Sequence, residues 1–146
     1  MIYLDASVVF SLHFHDRNTV EALNLVGAAT EPLLISALCE METINAFALR
    51  VFRGEMSARN MDIAVSDLES DLRFGIMEPK PVPEAAFARA KKLSREITPS
   101  TGVRAADLLH IAAALELGAK TIFTFDQEQH IAAHAVGLTV NQLPKA

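Results

Sequence analysis

With 146 residues and a net charge of −5, the chain is long enough for one sheet-centred core and too acidic to coat nucleic acid through a basic surface. An apolar fraction of 51% and a positive mean hydropathy exclude a disordered chain, and no apolar run approaches the ~20 residues of a membrane span. Cys39 is the only cysteine, which excludes an intrachain disulfide. Without a basic-then-apolar leader, the expectation is a cytoplasmic protein forming a single domain over 1–146.

Ile2-Tyr3-Leu4 is a short apolar run that predicts a strand buried on both faces of a parallel sheet. Asp5 stands at its end, either as a helix N-cap or as a group in the crevice where α/β sheets bind ligands. Ser7–Phe14 predicts a short buried helix. Asp16 then offers an N-cap to an amphipathic helix carrying Val20, Leu23 and Val26. Pro32 ends that pattern, and Leu33-Leu34-Ile35 predicts a second buried strand, closing at Ser36. A long helix follows from about Leu38 to Arg53, with Glu42, Asn45 and Leu49 along one side and Gly54 at its end.

Ser57 opens another helix reaching about Leu72. Phe74-Gly75-Ile76-Met77 predicts a weaker third strand, stopped by Pro79, Pro81 and Pro83. Pro83 suits the first turn of a helix through Ala85, Phe87, Ala90 and Leu93, and Thr98–Gly102 reads as a loop. Ala105–Leu117 predicts a strong helix closed by Gly118. Thr121–Phe125 is the clearest strand, ending at Asp126. Glu128–Ala135 predicts a short helix and Leu138–Val140 a last strand. Strands alternating with helices imply a parallel sheet of four or five strands covered on both faces. The two adjacent helices between the second and third strands form a helical arm on it.

Four acids share a position in this scheme. Asp5 and Asp126 follow strands, Glu42 lies in the first turns after the second strand, and Asp107 opens the helix before the fourth. Brought to one sheet edge, like charges about 4 Å apart repel by ~4 kcal/mol at an effective dielectric near 20. Cations would relieve that, and all-oxygen ligation favours Mg²⁺ or Mn²⁺. Glu40 and Glu42 are two residues apart and face different sides of their helix; Glu42 shares its side with Asn45. His110, one turn beyond Asp107, reads as a hydrogen-bonded core histidine or a ligand. His130 and His134 read as a solvated pair, and Asp67, Glu69 and Asp71 as an exposed acidic face.

Several blocks in order carry a family resemblance: Ile2-Tyr3-Leu4-Asp5-Ala6-Ser7, then Ser36 with Glu42-Thr43-Ile44-Asn45-Ala46, then Arg53-Gly54-Glu55. Ala106-Asp107-Leu108-Leu109-His110-Ile111-Ala112 and Thr124-Phe125-Asp126 with Gln129 complete it. The chain resembles the PIN-domain ribonucleases, and among them the VapC toxins of bacterial type II toxin–antitoxin pairs. The resemblance implies an α/β/α three-layer fold and a Mg²⁺- or Mn²⁺-dependent ribonuclease acting on RNA. Its catalytic and metal-holding acids correspond to Asp5, Glu42, Asp107 and Asp126, with Ser7, Asn45 and Thr124 in support. It also implies a cognate antitoxin, a homodimer and no membrane. One alternative is a haloacid-dehalogenase-like phosphohydrolase with Asp5 as nucleophile, which lacks its second acid where Ser7 stands. The other is a non-catalytic interaction module on the same fold.

Overall fold

The structure, a computed structural model, describes residues 1–145. Its centre is a parallel sheet of β1 (Ile2–Leu4), β2 (Leu33–Ser36), β3 (Glu78–Lys80), β4 (Thr121–Phe123) and β5 (Thr139–Val140) in the order β3-β2-β1-β4-β5. The strand formed first in the chain is therefore the middle one, paired with β2 on one side and β4 on the other.

Alternation along the strands sorts the core into two layers. Tyr3, Leu34 and Ile122 point to a layer built on α5 (Glu84–Thr101), α6 (Ala105–Glu116) and α7 (Gln127–Ala135). Ile2, Leu4, Leu33 and Ile35 point to the opposite layer. That layer holds α1 (Ala6–His13), α2 (Thr19–Ala28), α3 (Ala37–Phe52) and α4 (Ala58–Arg73). Burying each of these large aliphatic side chains contributes about 1.5–3 kcal/mol. A smaller cluster of Phe10, Phe47 and Ala64 joins α1 to the arm formed by α3 and α4. His13 fastens the same corner, its Nε2 lying 2.8 Å from Asp71 Oδ2. Asp71 thus has a partner on α1 and is more than part of an exposed acidic face.

Four local expectations change. The third strand is β3 at Glu78–Lys80 and not Phe74–Met77. The amides of Phe74, Gly75 and Ile76 bond back to Ser70, Leu72 and Asp71, and Gly75 takes φ +75°, so these residues terminate α4. Pro79 is tolerated because β3 is an edge strand, hydrogen-bonded on one side only. Residues 98–101 continue α5 through Pro99 and are not a loop. Thr101 Oγ1 donates to Ile97 O at 2.7 Å, and the helix closes at Gly102. The helix expected after Asp16 begins at Thr19, and its Val20 and Leu23 are exposed while Ala22 is buried. Strand β4 stops at Phe123, because the next two amides turn to side chains: Thr124 N donates to Asn141 Oδ1 (2.8 Å) and Phe125 N to Ser7 Oγ (2.9 Å). Among the described residues no helix is long and apolar enough to cross a membrane.

Candidate active site

The sheet order reverses at β1, with β2 reached on one side and β4 on the other. In such sheets the crevice beyond the carboxyl ends of the diverging strands is where ligands bind. Here it is a cleft of about 320 Å³ lined by Asp5, Ala6, Ser7, Glu42, Arg104, Ala106, Asp107 and Asp126. All four sequence-predicted acids meet there. Glu40 is not among the described residues that line it, and Asn45 is exposed on α3 outside the lining.

Asp5 is both a cap and a member of the cleft. Its Oδ2 accepts from Ser7 N (3.1 Å), Ser7 Oγ (2.6 Å) and Thr124 Oγ1 (3.2 Å), while Oδ1 lies 3.8 Å from His110 Nε2. Ser7 and Thr124 therefore hold Asp5 at the seam between β1 and β4. Asp126 has the same double character: Oδ1 caps α7 by accepting from Gln129 N at 2.9 Å, and Oδ2 lies 3.6 Å from Arg104 Nη2. The turn that carries Asp126 is braced twice. Asp126 N donates to Thr124 Oγ1, and Asn141 Nδ2 donates to Thr124 O at 3.0 Å. His130 Nε2 lies 2.8 Å from Asn141 O, so this histidine joins the brace and not a surface pair alone.

Arg104 and His110 set the electrostatics. Arg104 donates to Asp107 at 3.1 Å and also approaches Asp126 and Glu128; these three carboxylates raise its pKa further. Burial pushes the Asp107 carboxyl above the usual carboxylate range and Asp126 pushes it the same way, with Arg104 opposing both. On the other side, His110 Nε2 lies 2.5 Å from Glu42 Oε2. Burial disfavours the imidazolium, but the Glu42 bond and the charges of Asp5, Glu42 and Asp107 outweigh it and raise His110 overall. The cleft thus divides into a half held by His110, with Asp5 and Glu42, and a half held by Arg104, with Asp107 and Asp126.

These donors suit a hard divalent cation. One ligand atom each from Asp5, Glu42 and His110 lies within 4.8 Å of the others, and the carboxylate oxygens match Mg²⁺ or Mn²⁺. Sequence reasoning placed the four acids at one sheet edge, where the structure also has them, and did not single out Arg104 or Asn141. Arg104 carried one usable signal: it stands three residues before Asp107, a spacing that puts both on one helix face. His110 is the buried, hydrogen-bonded histidine expected, yet it also borders the cleft acids.

Residues 2–135 match a family model described as PIN domain. The chain superposes on VapC20 of Mycobacterium tuberculosis, a toxin described as cleaving the sarcin–ricin loop, with TM-score 0.68 and 17% identity over 90% of this chain and 95% of that one. It resembles FitAcB of Neisseria gonorrhoeae with TM-score 0.67 and 21% identity, covering 97% of each chain. VapBC2 of Rickettsia felis, bound to a DNA fragment from its promoter, aligns with TM-score 0.66 and 18% identity over 97% and 98%. No curated protein matches the chain significantly by sequence.

Proposed function

The chain belongs to the PIN domain family, and from that premise we propose a Mg²⁺- or Mn²⁺-dependent endoribonuclease, the toxin of a toxin–antitoxin pair. The observation that carries the reading is the meeting of Asp5, Glu42, Asp107 and Asp126 around one cleft at the β1–β4 reversal. The substrate is RNA. A cognate antitoxin and a homodimer complete the assembly, and the action is cytoplasmic. The toxin–antitoxin complexes among the structural neighbours support the pairing.

Asp5, Glu42, Asp107 and Asp126 hold the metal. When bound, the ion supplies Lewis acidity and neutralises charge at the scissile phosphate. The chain's own groups do the rest. Ser7 and Thr124 fix the Asp5 carboxylate through its Oδ2, leaving Oδ1 free of both, 3.8 Å from His110 Nε2. Water attacks phosphorus as the opposite P–O bond breaks; its proton passes to a carboxylate, and the leaving oxygen takes a proton from solvent. Asp107, whose carboxyl burial pushes up from its ordinary value, lines the cleft and is a candidate for that role. Arg104 stands exposed at the mouth, where its guanidinium suits a neighbouring phosphate.

The test is cleavage of a structured RNA by purified protein. Activity is expected with Mn²⁺ or Mg²⁺, lost on chelation and restored by returning metal, and Asp126→Asn is expected to lower it by at least ~100-fold. Cleavage that survives exhaustive chelation would refute the reading.

A further inference from the structure

Three of the four cleft acids have a backbone or local anchor. Asp5 and Asp126 cap helices, and Asp107 sits in the first turn of α6 against Arg104. Glu42 has neither advantage. It lies one turn into α3 on a longer side chain, about a third of which is exposed. Among the described residues its carboxylate has a single hydrogen-bond partner, His110 Nε2 at 2.5 Å.

His110 is itself held from behind. Its ring is 1% exposed, and Nδ1 lies 2.7 Å from the Tyr3 hydroxyl. The Tyr3 ring meets it edge-on at 5.8 Å between centroids. The Tyr3 hydroxyl lies 2.6 Å from Ser36 Oγ, which in turn accepts from Cys39 N at 3.2 Å as the α3 cap. Burial raises the Tyr3 phenol far above its ordinary value, so it stays a neutral hydroxyl. The contacts form a closed circuit: from the α3 cap through β1 and α6, and back to α3 at Glu42.

We propose that Ser36, Tyr3 and His110 form a positioning relay that fixes the Glu42 carboxylate in the cleft. His110 Nε2 lies near enough to Asp5 and Glu42 to be a ligand itself, but in the relay it donates its N–H to Glu42, so His110 and Tyr3 act through Glu42. The proton order is consistent: with Nε2–H donating to the Glu42 carboxylate, Nδ1 accepts from the Tyr3 hydroxyl, which accepts from Ser36. The inference rests on the metal-nuclease reading and adds to it residues that hold a ligand without being one. Groups that orient metal ligands typically contribute 10–100-fold to metal affinity, which sets the expected effect.

The test is a double-mutant cycle on the metal-free full chain, read as Mn²⁺ affinity by titration calorimetry. Tyr3→Phe removes one hydroxyl and keeps the ring. It is expected to weaken Mn²⁺ binding about tenfold, and Glu42→Gln to weaken it at least as much. The double variant is expected to be no weaker than Glu42→Gln alone, because the relay has nothing left to position. Should Tyr3→Phe not fold, His110→Asn takes its place in the cycle. Losses that add would assign the network a packing role and overturn the relay, as would unchanged affinity in a folded Tyr3→Phe. Nitrogen hyperfine coupling from His110 to bound Mn²⁺, seen by pulsed EPR, would make it a ligand and also overturn the relay. Wild-type protein that binds no Mn²⁺ would refute the metal reading together with the relay, an outcome distinct from both.

Discussion

At the residue scale, charge compensation decides how the cleft behaves without metal. Four carboxylates facing one cavity would repel by several kcal/mol if bare, yet Arg104 and His110 each bridge two of them. Arg104 is 69% exposed in its side chain, so its ion pairs contribute little to stability, on the order of 0–1 kcal/mol in total. Its larger effect is competition: it occupies the Asp107–Asp126 side that a divalent ion would neutralise. Arg104→Ala is therefore expected to tighten Mn²⁺ binding about threefold at low salt, with the metal-free melting temperature nearly unchanged. Calorimetric titration checks this, and weakened binding would instead make Arg104 a support for the acids' geometry.

At the element scale, α5 and α6 meet at a break of three residues, from Gly102 to Arg104. Gly102 has φ +72°, and no heavy atom lies within 4 Å of where a Cβ would stand, so only backbone conformation opposes a substituent there. Gly102→Ala is expected to cost about 1–2 kcal/mol in urea denaturation. Mn²⁺ affinity should stay within twofold, and a change in affinity without a stability loss would contradict the account. The sequence made these elements legible to differing degrees. Strands β1 and β2 and helices α3, α4, α6 and α7 were readable from apolar runs bounded by Ser36, Ser57 and Asp126, all of which prove to cap helices. The third strand was not, since Phe74 and Ile76 look strand-like but remain exposed on either side of a helix-ending glycine. Asp5, Glu42 and Asp126 were legible by their positions after strands, and Asp107 by its place at the start of α6. The His110–Glu42 and His110–Tyr3 contacts join residues 68 and 107 positions apart, which local pattern does not encode.

At the scale of the whole molecule, the buried cluster ties stability to pH. His110 faces Tyr3 of β1, Asp5 at its end, Glu42 of α3 and Asp107 of its own helix. Its folded pKa is raised above its unfolded one, so the folded chain binds this proton more tightly. That contribution is present in full below the unfolded value of ~6.5 and is lost as pH rises through the higher folded value. Asp107 is shifted in the same direction, so a His110 variant, which leaves Asp107 in place, separates the two effects. In chelator, the melting temperature of the wild type is expected to fall as pH rises from about 6 through neutrality. His110→Gln is expected to give a flatter profile over that interval, and parallel profiles would mean that His110 is not the group responsible.

The sheet order has a further bearing on synthesis. Strand β1 is made first and occupies the middle of the sheet, but its β4 edge has no partner until residues 121–123 follow. Until then Ile2-Tyr3-Leu4 presents an open apolar edge of the kind prone to mispairing. Contacts between such distant segments form slowly. Asp5 and Glu42 emerge from the ribosome well before Asp107 and Asp126, and the brace at Asn141 comes later still. The growing chain therefore carries only half a cleft until Asp107 and Asp126 have followed. The cleft is complete only once β4 and β5 dock.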